Sequence, residues 1–148
     1  MRELSPDALT VLELSPVEMV RCAADAGYSH VGLRLVPATD NEPRRDMVGD
    51  TATVREVAAA LADTGVQVLD LEILRLRPDT DVRDFAAMLE NRRAPRRPSC
   101  AGRRQRSGRG SADCGLAALS ELAVPLQLSI YLEPMPWTDA RDFTQAWC

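Results

Sequence analysis

Apolar and polar positions along this chain switch between a period near two and a period near 3.6, and the switches mark out its elements. The run Ala8–Leu14, ALTVLEL, is short and apolar and reads as a buried strand. In SPVEMVRCAADAGY, Val17, Val20 and Ala24, with Met19 and Ala23 beside them, make a helical apolar face. Ser15 is its N-cap, Pro16 takes the first helical position, Glu18 completes a capping box and Gly27 ends it. HVGLRLV (His30–Val36) is a second strand, with Val31, Leu33 and Leu35 on one face and His30, Gly32 and Arg34 on the other. A polar loop runs on to Asp50.

DTATVREVAAALADTGV predicts a helix capped by Asp50 or Thr51 and ended by Gly65. QVLDLEILRL predicts a third strand. DTDVRDFAAMLEN predicts a third helix, with Val82, Phe85, Ala86 and Leu89 at helical spacing. Further on, GLAALSELAVPL is helical, QLSIYLEPM is a strand, and TDARDFTQAWC begins another helix. Strands that alternate with helices of this length predict a parallel sheet with right-handed crossovers. One strand is missing from the rhythm, after the third helix.

The gap is filled by NRRAPRRPSCAGRRQRSGRG (Asn91–Gly110), which contains no Leu, Ile, Val or Phe. Residues 91–114 hold eight Arg against one Asp, although the chain of 148 residues has a formal charge of −4. The body is therefore acidic and the insert basic, an asymmetry that raises the question of a nucleic-acid arm. The insert lacks interleaved aromatics and interrupts a βα repeat instead of extending a terminus, which weighs against that reading. Every basic residue of the chain is Arg.

Cys22, Cys100, Cys114 and Cys148 form no CxxC pair, so a zinc ribbon or redox motif is not indicated, and Cys22 reads as a core residue. No basic-then-apolar leader opens the chain, and no apolar run approaches the roughly 18 residues of a membrane span. A cytoplasmic location is expected, with no membrane partner.

The stretches LTVLELSPVEMVRCAADAGYSHVGLRL, LADTGVQVLDLEILRLRPDTDV and YLEPMPWTDARDF resemble the sugar phosphate isomerase/epimerase family, the xylose-isomerase-like TIM barrels. The resemblance covers about residues 8–90 and 115–146, and LEPMPW is its most specific piece. It implies an α/β fold: a partial (β/α)8 TIM barrel of about five βα units with strand four disrupted. Residues 1–148 would be one incomplete domain. Its first three βα units occupy 8–90. The Arg-rich anomalous segment is 91–114. The fourth helix, fifth strand and start of the fifth helix lie in 115–148.

A complete barrel of this kind needs about 250 residues, so the chain reads as truncated. Its open edge predicts self-association. The density of arginine speaks against a strand within 91–114. Codons exist for Cys100–Gly110 whose shifted reading yields an apolar strand end and an acidic loop. The segment is therefore expected to be translated out of frame, which the nucleotide sequence decides.

The resemblance also implies chemistry: metal-dependent isomerisation or epimerisation of a sugar, sugar phosphate or related polyol. Glu133 is the counterpart of a strand-end glutamate that ligates a divalent ion (Mn, Mg, Co or Zn) and takes part in catalysis. The other ligands would come from later strands, so this chain is expected to be inactive by itself. Trp137 is a candidate wall for a sugar pocket, or a cover for the following helix. Asp70 and Glu72 share one strand face and need partners, for which Arg34, Arg75 and Arg77 are placed. Either Glu72 binds substrate hydroxyls while the arginines bind a phosphate or carboxylate, or these residues form a structural ion-pair network. Glu13 is a weaker candidate of the same type. His30, at the start of its strand, falls away from the chemistry. The alternative functions are an Arg-rich nucleic-acid-binding protein and an endonuclease-IV-like DNA-repair fold, the latter requiring several His ligands where this chain has one.

Overall fold

The computed structural model describes residues 4–39, 41–76, 80–89, 99–104, 109–137, 141–142 and 144. Their elements follow the chain as a 3-10 turn Ala8–Val11, α1 Pro16–Asp25, β1 His30–Arg34, α2 Ala52–Thr64 and β2 Gln67–Leu76. A 3-10 turn Val82–Phe85 then leads into α3 Ala86–Leu89. After it come β3 Ser99–Arg104, α4 Arg109–Ala123, a 3-10 turn Val124–Leu126 and β4 Ser129–Leu132. The four strands form one parallel sheet in the order β1-β2-β3-β4.

Local chemistry accounts for the two long N-terminal helices. Ser15 accepts from the Glu18 amide and Glu18 reaches back to the Ser15 amide, so the capping box forms with Pro16 at the first helical position. Thr51 caps α2, and Gly65 ends it at φ 73°, a left-handed conformation that glycine adopts without a Cβ penalty. Met19, Val20 and Ala23 of α1, Val57 and Ala60 of α2, and Leu119 and Ala123 of α4 are buried. They join Val31, Leu33 and Leu35 of the β1 region and Val68, Leu71, Leu74 and Leu76 of β2 in one apolar cluster. The helices thus cover one face of the sheet.

The expected partial barrel of about five βα units is not what forms. The structure is a small α/β domain with an open sheet, and its first expected strand is absent. Asp7 accepts a hydrogen bond from the Leu9 amide at 2.7 Å and so caps a 3-10 turn over Ala8–Val11. Pro6 carbonyl meanwhile accepts from the Gly32 amide, which covers part of the β1 edge without adding a strand.

Strand four is not missing either. Ser99–Arg104, inside the arginine-rich segment, pairs in parallel with both β2 and β4. Ladder bonds need only backbone N–H and C=O, so Ser99–Gly102 can enter a sheet without apolar side chains. The remainder of that segment, 91–98 and 105–108, lies outside the described residues, as does most of the expected last helix. Cys22 is exposed on α1, beside the buried stripe and not within it.

The most consequential departure is in β2. Gly32 pairs with Asp70 whereas Val31 pairs with Val68, so Leu69 is an extra residue; a second register shift separates Leu71 from Leu74. Each bulge re-aims the side chains after it. The cluster that the helices cover takes Val68, Leu71, Leu74 and Leu76 from β2, where strict alternation suggests Leu69, Leu71 and Ile73; Ile73, 1% exposed, is buried outside that cluster.

Candidate functional site

The face of the sheet turned away from the helices carries charge. Gly32 has no side chain there, and the space is taken by β2: a Cβ on Gly32 would strike Asp70 Oδ1 and lie 3.3 Å from Glu72 Oε1. Two carboxylates therefore share the ground above one glycine. Arg34, one pleat along β1, is 7% exposed, and Glu72 is 5% exposed. The Arg34 guanidinium donates through Nη2 to Glu72 Oε2 at 3.2 Å and through Nη1 to Glu42 Oε2 at 2.9 Å. Glu42 lies in the loop after β1, and the same Oε2 accepts from the Ala38 amide at 3.0 Å. Among the described residues, Arg34 Nε and Arg75 Nε are buried without hydrogen-bond partners.

Burial sets the electrostatics. It pushes the Glu72 carboxyl above the ordinary range, and the nearby Asp7 charge adds to this; the Arg34 hydrogen bond opposes but does not overcome it. Asp70 is likewise raised, by burial and then by Asp7, and its Oδ1 is buried without a partner among the described residues. For Glu42, burial also pushes upward, but the Ala38 amide and the Arg34 guanidinium outweigh it, with the Arg75 charge helping, so Glu42 is held below the usual range.

A raised carboxyl binds a proton in the folded state that the unfolded chain has released. The associated stability is full below the ordinary Asp value of 3.8 and is lost as pH climbs through the higher folded value. Asp70→Asn, which removes that charge, is therefore expected to raise the neutral-pH stability by about 1 kcal/mol, a few degrees in Tm. The gain should vanish near pH 3. Melting curves across pH check this: a gain independent of pH would mean that the Asp70 charge is not the cause.

Arg34 also borders a cavity of about 190 Å³ at the carboxyl end of β1. Its walls are Leu12, Glu13 and Leu14 after the first turn, Pro16 and Met19 of α1, and Leu35, Val36, Asn41, Glu42 and Arg45 of β1 and its loop, among others. Arg45, on the cavity wall, donates to the carbonyls of Leu12 and Leu14.

The structure thus brings together Arg34 and Glu72, with Arg75 close enough to act on Glu42. Glu13 joins the cavity wall, though from a turn and not a strand end. Glu133 follows β4 and Trp137 is 70% exposed; neither lines this cavity. His30 sits at the opposite end of β1, hydrogen-bonded to the Ser29 hydroxyl at 2.8 Å. Arg77 lies outside the described residues. Glu42 and Arg45 carry no motif; only an acceptor need, raised by a buried arginine, points to the former.

The divalent ion that the resemblance implies would need several converging donors. Among the described residues no three His, Cys, Asp or Glu side chains converge, around Glu133 or elsewhere. No helix among the described residues is long and apolar enough to cross a membrane.

No family model matches the chain, and no curated protein matches it. Among solved structures, the fold is similar to that of an uncharacterized protein from Parabacteroides distasonis ATCC 8503, with a TM-score of 0.67 at 7% identity. The match covers 90% of this chain and 53% of that one, so this chain spans about half the length of the structure it resembles. At that identity the likeness establishes the fold alone.

Proposed function

We propose that the chain binds a small polyhydroxylated molecule, a sugar, sugar phosphate or related polyol, in the cavity beside Arg34. We further propose that it does so as part of a cytoplasmic isomerase or epimerase of the sugar phosphate isomerase/epimerase type. The observation that carries the binding is the buried Arg34–Glu72 pair next to a cavity at the carboxyl end of a parallel strand. Open parallel sheets bind ligands at that end. The cavity, about 190 Å³, is below the ~300–1,000 Å³ of drug-sized sites, which suits a ligand of monosaccharide size or less. Guanidinium and carboxylate groups side by side offer both donors and acceptors to hydroxyls. The sequence resemblance supplies the reaction class.

The chain alone is proposed to bind without turnover, because no three His, Cys, Asp or Glu side chains converge among the described residues to hold the divalent ion of that reaction class. Ligand-observed NMR with uncharged pentoses and hexoses, a polyol and a sugar phosphate tests the binding. Saturable binding of at least one, lost in Arg34→Lys, is the expected result. No binding by any of them removes the reading. A cooperatively folded sample that interconverts a ketose and an aldose with added Mn²⁺ would overturn the inactive assignment while leaving the site intact.

A further inference from the structure

Glu42 occupies a position that a ligand would be expected to fill. One oxygen, Oε2, accepts both from Arg34 Nη1 at 2.9 Å and from the Ala38 backbone amide at 3.0 Å. A guanidinium and an amide converging on one oxygen form a cradle for an oxyanion. Beside it, Arg34 is 7% exposed and its Nε is buried with no partner among the described residues, on the wall of the cavity. The carboxylate in the cradle comes from the loop after β1, tethered by its own hydrogen bonds and by Arg45 to the carbonyls of Leu12 and Leu14. The other ligand of Arg34, Glu72, comes instead from the rigid sheet.

We infer that the Arg34–Ala38 cradle is a binding site for the carboxylate of a small hydroxy acid, and that Glu42 fills it from within the chain until such a ligand displaces it. The exchange conserves charge: one carboxylate leaves and one enters, while Glu72 keeps Arg34 paired throughout. A dianion would bring surplus negative charge toward Glu72, Glu13 and Asp70. Arg34 Nε supplies a donor that Glu42 does not use, available to a hydroxyl next to the entering carboxylate. Arg75, whose charge acts on Glu42, acts equally on its replacement. The inference uses the same cavity as the proposed sugar site and does not require that the protein isomerise anything.

Chemical rescue tests it. Glu42→Ala should lower Tm by leaving Arg34 and the Ala38 amide short of an acceptor. Sodium glycolate should restore Tm with a saturating dose dependence, while sodium chloride at equal ionic strength does not. Glu42→Gln keeps the side-chain volume and guards against failure of the alanine variant to fold. In it, ¹³C-labelled glycolate should bind about tenfold more tightly than in the parent chain, because a neutral amide competes for the cradle less well than a carboxylate. The lack of a saturable, carboxylate-specific response in both variants overturns the inference, as does a stronger response to phosphate than to glycolate. Rescue without sugar binding faults the sugar reading alone; sugar binding without rescue faults the cradle alone.

Discussion

Replacing Arg34 with methionine is expected to cost about 3–5 kcal/mol, the range for removing one member of a buried ion pair. The chain would then sit near its unfolding threshold, since domains of this size are stable by about 5–15 kcal/mol in total. The cost arises from what stays behind. Glu72, 5% exposed, would lose the guanidinium that faces it, and Glu42 would keep the Ala38 amide and the Arg75 charge but not its Arg34 hydrogen bond. Burial already pushes Glu72 toward its neutral form, and without Arg34 it would move further. Part of the loss should therefore return on acidification, as Glu72 takes up a proton. The double variant Arg34→Met, Glu72→Met should recover much of the loss, because two apolar side chains replace the pair without stranding a charge. Urea midpoints of the two single variants and the double variant, read as a cycle, measure this. If Arg34→Met unfolds no more readily than the parent, the pair is a solvated surface contact and the case for a site there weakens with it.

What the residues disclosed before folding, and what they withheld, divides by the range of the interactions. Ser15, Pro16, Glu18, Thr51 and Gly65 announce their helix ends because each acts on neighbours within a few positions. The strand limits at His30 and Gln67 follow from local pattern in the same way. Ala8–Leu14 misleads because a short apolar run has no period of its own, and Asp7, one residue ahead of it, decides for a turn. Ser99–Arg104 misleads in the opposite sense, since its place in the sheet rests on backbone pairing that side-chain pattern does not report. Arg34 and Glu72 were legible as facing residues because their parities agree across two strands. Their union with Glu42 was not, because a loop glutamate gains a role only once the chain brings it to the arginine. Trp137 and Glu133 drew attention through the LEPMPW motif, yet the cavity formed at the far edge of the sheet, at β1.

Leu74→Ala should show the second largest effect, a loss of about 2–5 kcal/mol, the usual range for a fully buried leucine cut back to alanine. Leu74 is 0% exposed and joins the cluster that the helices cover. Its position there depends on the register shift between Leu71 and Leu74, without which an even-numbered residue of β2 would face the same way as Asp70 and Glu72. Leu69 supplies the contrast. Strict alternation makes it the equal of Leu71, but the first shift leaves it half-buried and outside that cluster. Leu69→Ala should therefore cost clearly less than Leu74→Ala, about 1 kcal/mol or so. Denaturant midpoints order the two variants directly. Equal losses, or a larger loss at Leu69, would mean that β2 runs as a regular strand. Leu74 would then lie on the face of Asp70 and Glu72, and the apolar cluster would draw on Leu69, Leu71 and Ile73 instead.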